Sequence, residues 1–207
     1  SPGIFEPLAG CLENLYLVGN RLSKLEKNAF GRLHKLRLLG LDLQKSGLNI
    51  EPNDTLIGGS ARARADMHGQ NRLTLCPGAF NGLDSLKVLR LSYTKLLNPL
   101  PTAELFGHMK KLTTLYLNDT GLTEIDIGFL AHTSSLRTLD IAANPITKVT
   151  VNSKEDGNNS SALIGAENKC RLYEILVDRG AQQLVKSLLP STVKIGQMRR
   201  RSRDDDD

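Results

Sequence analysis

One phrase recurs along this chain. "LTTLYLNDTGL" at residues 112–122 is copied as "LENLYLVGNRL" around Leu15, "LKVLRLSYTKL" around Leu89 and "LRTLDIAANPI" around Leu139, with a looser copy, "LRLLGLDLQ", around Leu39. The anchors Leu15, Leu39, Leu89, Leu115 and Leu139 are spaced by 24, 50, 26 and 24 residues, so a period near 25 explains every gap but one. A second marker keeps the same phase. The five phenylalanines, Phe5, Phe30, Phe80, Phe106 and Phe129, each stand nine or ten residues ahead of an anchor. Within a copy, the L-x-L pair sends two leucines to the same side of a short strand, because strand side chains alternate faces. A single copy cannot bury those leucines, so successive strands must stack in parallel around a shared core.

The pattern resembles the leucine-rich repeat family, whose motif is L-x-x-L-x-L-x-x-N/C-x-L at a period of ~20–29 residues. The phenylalanine-bearing form, "AFGRLHKLRLL" and "AFNGLDSLKVL", is similar to the 24-residue typical class and covers about residues 5–149. The resemblance implies an α/β solenoid with a curved parallel sheet inside and loops with short helices outside. At the N position of the motif the chain leaves the sheet inside the core, where backbone groups need partners. An asparagine carries both a donor and an acceptor. Asn20 and Asn144 hold that position, and Thr94 and Thr120 replace it with a hydroxyl. These four are expected to form a buried turn ladder.

The organisation expected is about five repeats over 1–151, a loop at 152–161, a helix–strand unit over 162–196 and a charged tail at 197–207. The 50-residue gap holds one repeat with a polar, glycine-rich insertion at about 45–70, and two registers fit around Leu39, since "LDLQKSGL" copies "LYLNDTGL" equally well. Leu172, Leu176, Leu184 and Leu188 fall on one helical face, ended by Pro190, and "TVKI" follows as a strand with Val193 and Ile195 in L-x-L phase. Helix then strand resembles a ribonuclease-inhibitor-class repeat, which implies a closing cap. "SPGIFEPLAG" reads as the second half of a unit. The strand around Leu15 is therefore expected to be an edge covered by upstream repeats or a partner.

Chemistry-bearing residues are sparse. Cys11, Cys76 and Cys170 are an odd number with no C-x-x-C spacing, and all three are expected to be free and buried. Cys76 is read into the apolar slot that Leu25 and Ile125 fill in other repeats. His34, His68, His108 and His132 have no Cys or carboxylate at ligand or triad spacing and read as solvated. No catalytic residue, cofactor or metal is implied.

The outward strand positions carry more information. The slot inside each L-x-L reads Tyr16, Gly40, Arg90, Tyr116 and Asp140, and the slot after it reads Val18, Asp42, Ser92, Asn118 and Ala142. Tyrosine and arginine are enriched where binding energy concentrates. Arg37, Lys87 and Arg137 add positive charge along one edge. Tyr16, Arg90 and Tyr116 are expected to share a patch facing a protein partner, with Asn118 and Asp140 at its margin.

Formal net charge is +5, and the four arginines and four aspartates of the tail cancel, so the excess belongs to the body. No apolar run nears the ~20 residues that span a bilayer, and the N-terminus has no signal-peptide layout. Sequons at Asn53, Asn118, Asn158 and Asn159 favour a secretory route. The favoured function is non-catalytic recognition by a docking or structural subunit of a larger assembly. Two alternatives are a fragment of an extracellular recognition receptor and a basic-surface binder of nucleic acid or another polyanion. The aspartates after "RRRSR" make nucleic acid the weaker of these.

Overall fold

The computed structural model describes residues 4–17, 22–42, 55–56, 72–97, 100–151, 172–189 and 191–197. In chain order the strands are β1 Asn14–Tyr16, β2 Lys24–Leu25, β3 Leu38–Gly40, β4 Thr55–Leu56, β5 Arg72–Leu75, β6 Val88–Arg90 and β7 Lys95–Leu96. After helix α1 (Thr102–Phe106) come β8 Thr114–Tyr116, β9 Glu124–Asp126, β10 Thr138–Asp140, β11 Lys148–Thr150 and β12 Glu174–Leu176. Helix α2 (Arg179–Lys186) and β13 Lys194–Gly196 follow. Eight strands form one sheet in the order β13-β12-β10-β8-β6-β3-β1-β4. The architecture is an α/β leucine-rich-repeat solenoid.

Stacking follows the leucine period. Leu15 pairs with Leu39, Leu39 with Leu89, Leu89 with Leu115 and Leu115 with Leu139, all in parallel. All five anchors are fully buried. The register at Leu39 is thereby fixed. Because β3 lies directly against β6, the 50-residue gap is a single coil with an insertion. On the far side of the core the phenylalanines form a spine. Phe5, Phe30, Phe80 and Phe106 stack with centroids 6.0, 6.3 and 6.2 Å apart, and Phe129 meets Phe106 at a tilt.

The turn positions close the coil from within. Asn144 Nδ2 donates to the carbonyls of Leu117 at 2.8 Å and Ile141 at 2.9 Å, while its Oδ1 accepts from the amides of Thr120 at 2.9 Å and Leu122 at 3.0 Å. Thr94 donates its hydroxyl to Leu41 O in the preceding coil, and Thr120 donates to Leu117 O. Thr94, Thr120 and Asn144 are buried; Asn20 lies outside the described residues.

Several expectations are corrected. The edge beside Leu15 is paired by β4, a piece of the chain's own insertion, with Leu15 opposite Thr55 and Tyr16 opposite Leu56. The rest of the insertion lies outside the described residues. The predicted helix beginning near Leu172 is instead another leucine-rich unit. Leu172, Ile175 and Val177 are buried in the L-x-x-L-x-L positions, and Ile175 pairs with Leu139. The helix contracts to α2, which buries Ala181 and Val185 and leaves Leu184 exposed. Ile195 pairs with Ile175, so it holds the anchor position of β13. The predicted loop at 152–161, Pro190 and the tail beyond Gln197 fall outside the described residues.

Two small parallel sheets, β2-β5-β7 and β9-β11, also escaped the sequence reading. They pair Leu25 with Leu75, so Leu75 and not Cys76 fills the apolar slot. Cys76, one residue on, is partly exposed, and Cys11 is exposed. Both are free thiols, and neither is the buried cysteine expected; Cys170 is not among the described residues.

Two substitutions test these elements. Asn144→Leu strands the amides of Thr120 and Leu122, and unfolding in urea should become easier by roughly 1–3 kcal/mol. Phe80→Ala opens the middle of the spine and should lower stability by about 3–5 kcal/mol in the same measurement.

Candidate functional site

The slot after each anchor forms one column across the sheet. Pairing sets Tyr16 beside Gly40, Gly40 beside Arg90, Arg90 beside Tyr116 and Tyr116 beside Asp140. Gly40 matters by what it lacks. A Cβ there would stand 2.7 Å from Tyr16 Cδ1, so the ring occupies the space a side chain would take. Tyr16 is only 3% exposed. It lies against Gly40 and presents no free ring to a partner.

Arg90 and Tyr116 are the half-buried centre of the column. The Arg90 Nε donates to Asp42 Oδ2 at 2.9 Å, and the guanidinium carbon lies 5.0 Å from the centroid of the Tyr116 ring. Asp42 holds the arginine from across the strand boundary, and reading the sequence column by column missed this diagonal. The signal was present as opposite charges on neighbouring coils.

In the next column Ser92 Oγ donates to Asn118 Oδ1 at 2.5 Å, and Asp140, at the end of the Arg90–Tyr116 column, accepts at Oδ1 from the Ala142 amide at 3.0 Å. Asn118 and Asp140, expected at the rim of the patch, are 3% and 2% exposed. They order the chain behind the strands. The buried Asn118 side chain also rules out a glycan on that sequon in the folded state. Arg37, Lys87 and Arg137 are all exposed, on β3's, β6's and β10's N-terminal side. Of the histidines, His34 is exposed, His132 is half-buried and His108 Nε2 lies 3.2 Å from Phe80 O; His68 is outside the described residues. Among the described residues no group of three His, Cys, Asp or Glu could hold a metal, and no helix is long and apolar enough to cross a membrane.

Two carboxyls on this face are perturbed. Burial pushes Asp42 above the ordinary carboxylate range, although the Arg90 guanidinium and the Ser92 amide pull against it. Its second oxygen, Oδ1, is buried and makes no hydrogen bond among the described residues. Burial pushes Asp140 up to about 6, opposed by the Ala142 amide and assisted by the charges of Asp178 and Glu174. Glu174 itself faces Lys194 at 3.7 Å.

With this geometry in hand, residues 110–154 match the family model for leucine-rich repeats in two copies. Comparison with curated proteins gave no match. Among solved structures the chain is similar to human 5T4 (Wnt-activated inhibitory factor 1, trophoblast glycoprotein), at 20% identity over 89% of this chain and 68% of that one, with TM-score 0.43. It is also similar to an internalin from Listeria monocytogenes, at 19% identity over 91% and 68%, with TM-score 0.26. At those values neither likeness bears on what this chain binds.

The Asp140 environment yields a pH test. Its folded pKa of about 6 lies above the ordinary unfolded value of about 3.9, so the folded state holds the extra proton. Its contribution is complete below about pH 4 and is lost as pH rises through 6. Asp140→Asn keeps an acceptor for Ala142 and removes the titration. Relative to the parent, the variant should gain roughly 2–3 kcal/mol between pH 4 and pH 7, read from paired denaturation curves.

Proposed function

Leucine-rich repeats build this solenoid, and from that premise we propose that its open sheet face recognises a protein partner, with Arg90 and Tyr116 at the centre of the contact. The observation that carries this reading is the held arginine. Asp42 fixes its Nε, and its guanidinium carbon lies over the Tyr116 ring, so little side-chain freedom remains to be lost on binding. Arginine and tyrosine in such a setting are the residue types at which binding energy concentrates. The Arg90 side chain is still 23% exposed, and its terminal nitrogens suit a carboxylate on the partner.

The finer reading is a docking or structural subunit of a larger assembly. It is supported by the sparse chemistry of the described residues and by a sheet whose exposed centre is small. A partner cross-linked to the purified chain identifies the site directly. Tyr116→Ala should weaken binding of that partner by about 1–2 kcal/mol, five- to thirtyfold in Kd, with the melting temperature little changed. Equal affinity of the variant and parent chains, or cross-links confined to other surfaces, would refute the reading.

A further inference from the structure

The two flanks of the main sheet differ in how they treat charge. Beyond the C-terminal ends of the strands, three lysines are paired: Lys24 meets Glu26 at 3.0 Å, Lys95 meets Asp119 at 3.1 Å and Lys148 meets Glu124 at 3.3 Å, while Lys27 and Arg72 are exposed cations of the same side. Before the N-terminal ends, Arg37 has Glu13 at 3.5 Å, but Lys35, Lys87, Lys111 and Arg137 make no ion pair among the described residues. Lys35, Arg37, Lys87, Lys111 and Arg137 are exposed. This flank therefore carries more cations than acids, with Glu13 and the exposed Asp84 set against those five.

Backbone pairing fixes where these cations stand. The amide of Lys87 donates to Arg37 O, that of Thr113 to Lys87 O and that of Arg137 to Thr113 O, so the four residues hold the same position on four successive coils. Adjacent coils are about 4.8 Å apart, well inside the ~8 Å over which salt screens charge at physiological strength. Arg37 and Lys87, on adjacent coils, therefore reinforce each other. Thr113 sets Lys87 and Arg137 two coils, about 9.6 Å, apart, and Lys111 supplies the charge on the coil between them. Lys35 widens the row on the Arg37 coil.

We infer that this flank is a rail for an acidic, extended polypeptide segment running along the solenoid axis. The local chemistry favours carboxylates over other anions. Every backbone amide in the row is already used by the preceding coil, which leaves no N–H nest of the kind that cradles phosphate. Tyr173, at the end of the row and 61% exposed, and the exposed His34 are the aromatic rings that the described residues offer there, too few for a run of stacked bases. What remains is a line of flexible cations, suited to carboxylates spread along a flexible chain. The rail lies apart from the Arg90–Tyr116 pair and functions with that pair disabled.

The test is fluorescence anisotropy of a labelled twelve-residue polyglutamate peptide against the full chain. The parent should bind, with an affinity that falls steeply as salt rises. Lys87→Glu with Arg137→Glu should weaken binding at least about tenfold, and the neutral pair Lys87→Gln with Arg137→Gln should fall between. Reversing Lys24 and Lys148 on the other flank should have the smaller effect. Circular dichroism and melting temperature should be unchanged in the Lys87 and Arg137 variants, since both sites are exposed. No binding by the parent, or equal losses from reversals on the two flanks, overturns the inference. So does displacement of the peptide by an oligonucleotide or a heparin fragment at lower charge-equivalent concentration, which would assign the rail to a different polymer.

Discussion

The structure depends on a problem that every coil must solve: its backbone leaves the sheet inside an apolar core. Amides and carbonyls there cannot reach water, and leaving one unpaired costs about as much as a hydrogen bond is worth. Asn144 answers for two coils at once, bonding to Ile141 O in its own coil and to Leu117 O and the amides of Thr120 and Leu122 in the coil before. The turn that aims this side chain inward is strained. Tyr93, Asp119 and Ala143, each just ahead of a ladder residue, have φ of 59°, 52° and 55°. Such left-handed backbone costs a non-glycine residue on the order of 1 kcal/mol. The chain accepts that strain three times because the bonds it permits satisfy several buried groups per turn.

Once the turns are fixed, register is fixed, and register turns sequence into surface. Residues 24 to 50 apart in sequence come to lie about 4.8 Å apart in space. Arg90 reaches Asp42 across an insertion for this reason: the insertion leaves and returns between two strands that pair directly. The same constraint stacks Arg37, Lys87 and Arg137 on one flank. On the other flank, Lys148 and Glu124 sit opposite each other in paired strands and neutralise each other. Patterns of like and unlike charge along the solenoid are thus consequences of one spacing.

What was legible in the sequence follows from this. Leucine and phenylalanine are large, apolar and strictly placed, so five coils and the spine could be read from periodicity. Thr94, Thr120 and Asn144 could be read because only a small donor–acceptor side chain serves that position. The sixth coil was hidden by chemistry and spacing together. Ile175 and Val177 replace leucines, and the unit arrives 36 residues after Leu139, out of phase with a period near 25. Its leucines also fit a helical period by coincidence. The pairing of β4 with β1 was beyond reach, because a two-residue strand in a polar stretch has no signature of its own. The site was read only in part. Periodicity gives columns, but burial depends on the neighbour's size, and Tyr16 is covered while resting on a glycine. Arg90's partner lies on a diagonal, which a column-wise reading does not examine.

The sheet face is consequently more specialised than its fold requires. A solenoid needs only small or weakly polar groups in the outward slots, yet this chain places Asp42 and Asp140 there and buries both. Desolvating a carboxylate costs several kcal/mol unless it is paired and hydrogen-bonded. Asp140 recovers some of that through the Ala142 amide, and Asp42 through Arg90. Neither recovers all of it, as their raised pKa directions indicate. An apolar residue at position 42 would pack with less penalty but would leave the guanidinium free to swing. The carboxylate therefore trades fold stability for the position of one side chain, and that exchange is intelligible if Arg90 must be held in place before a partner arrives.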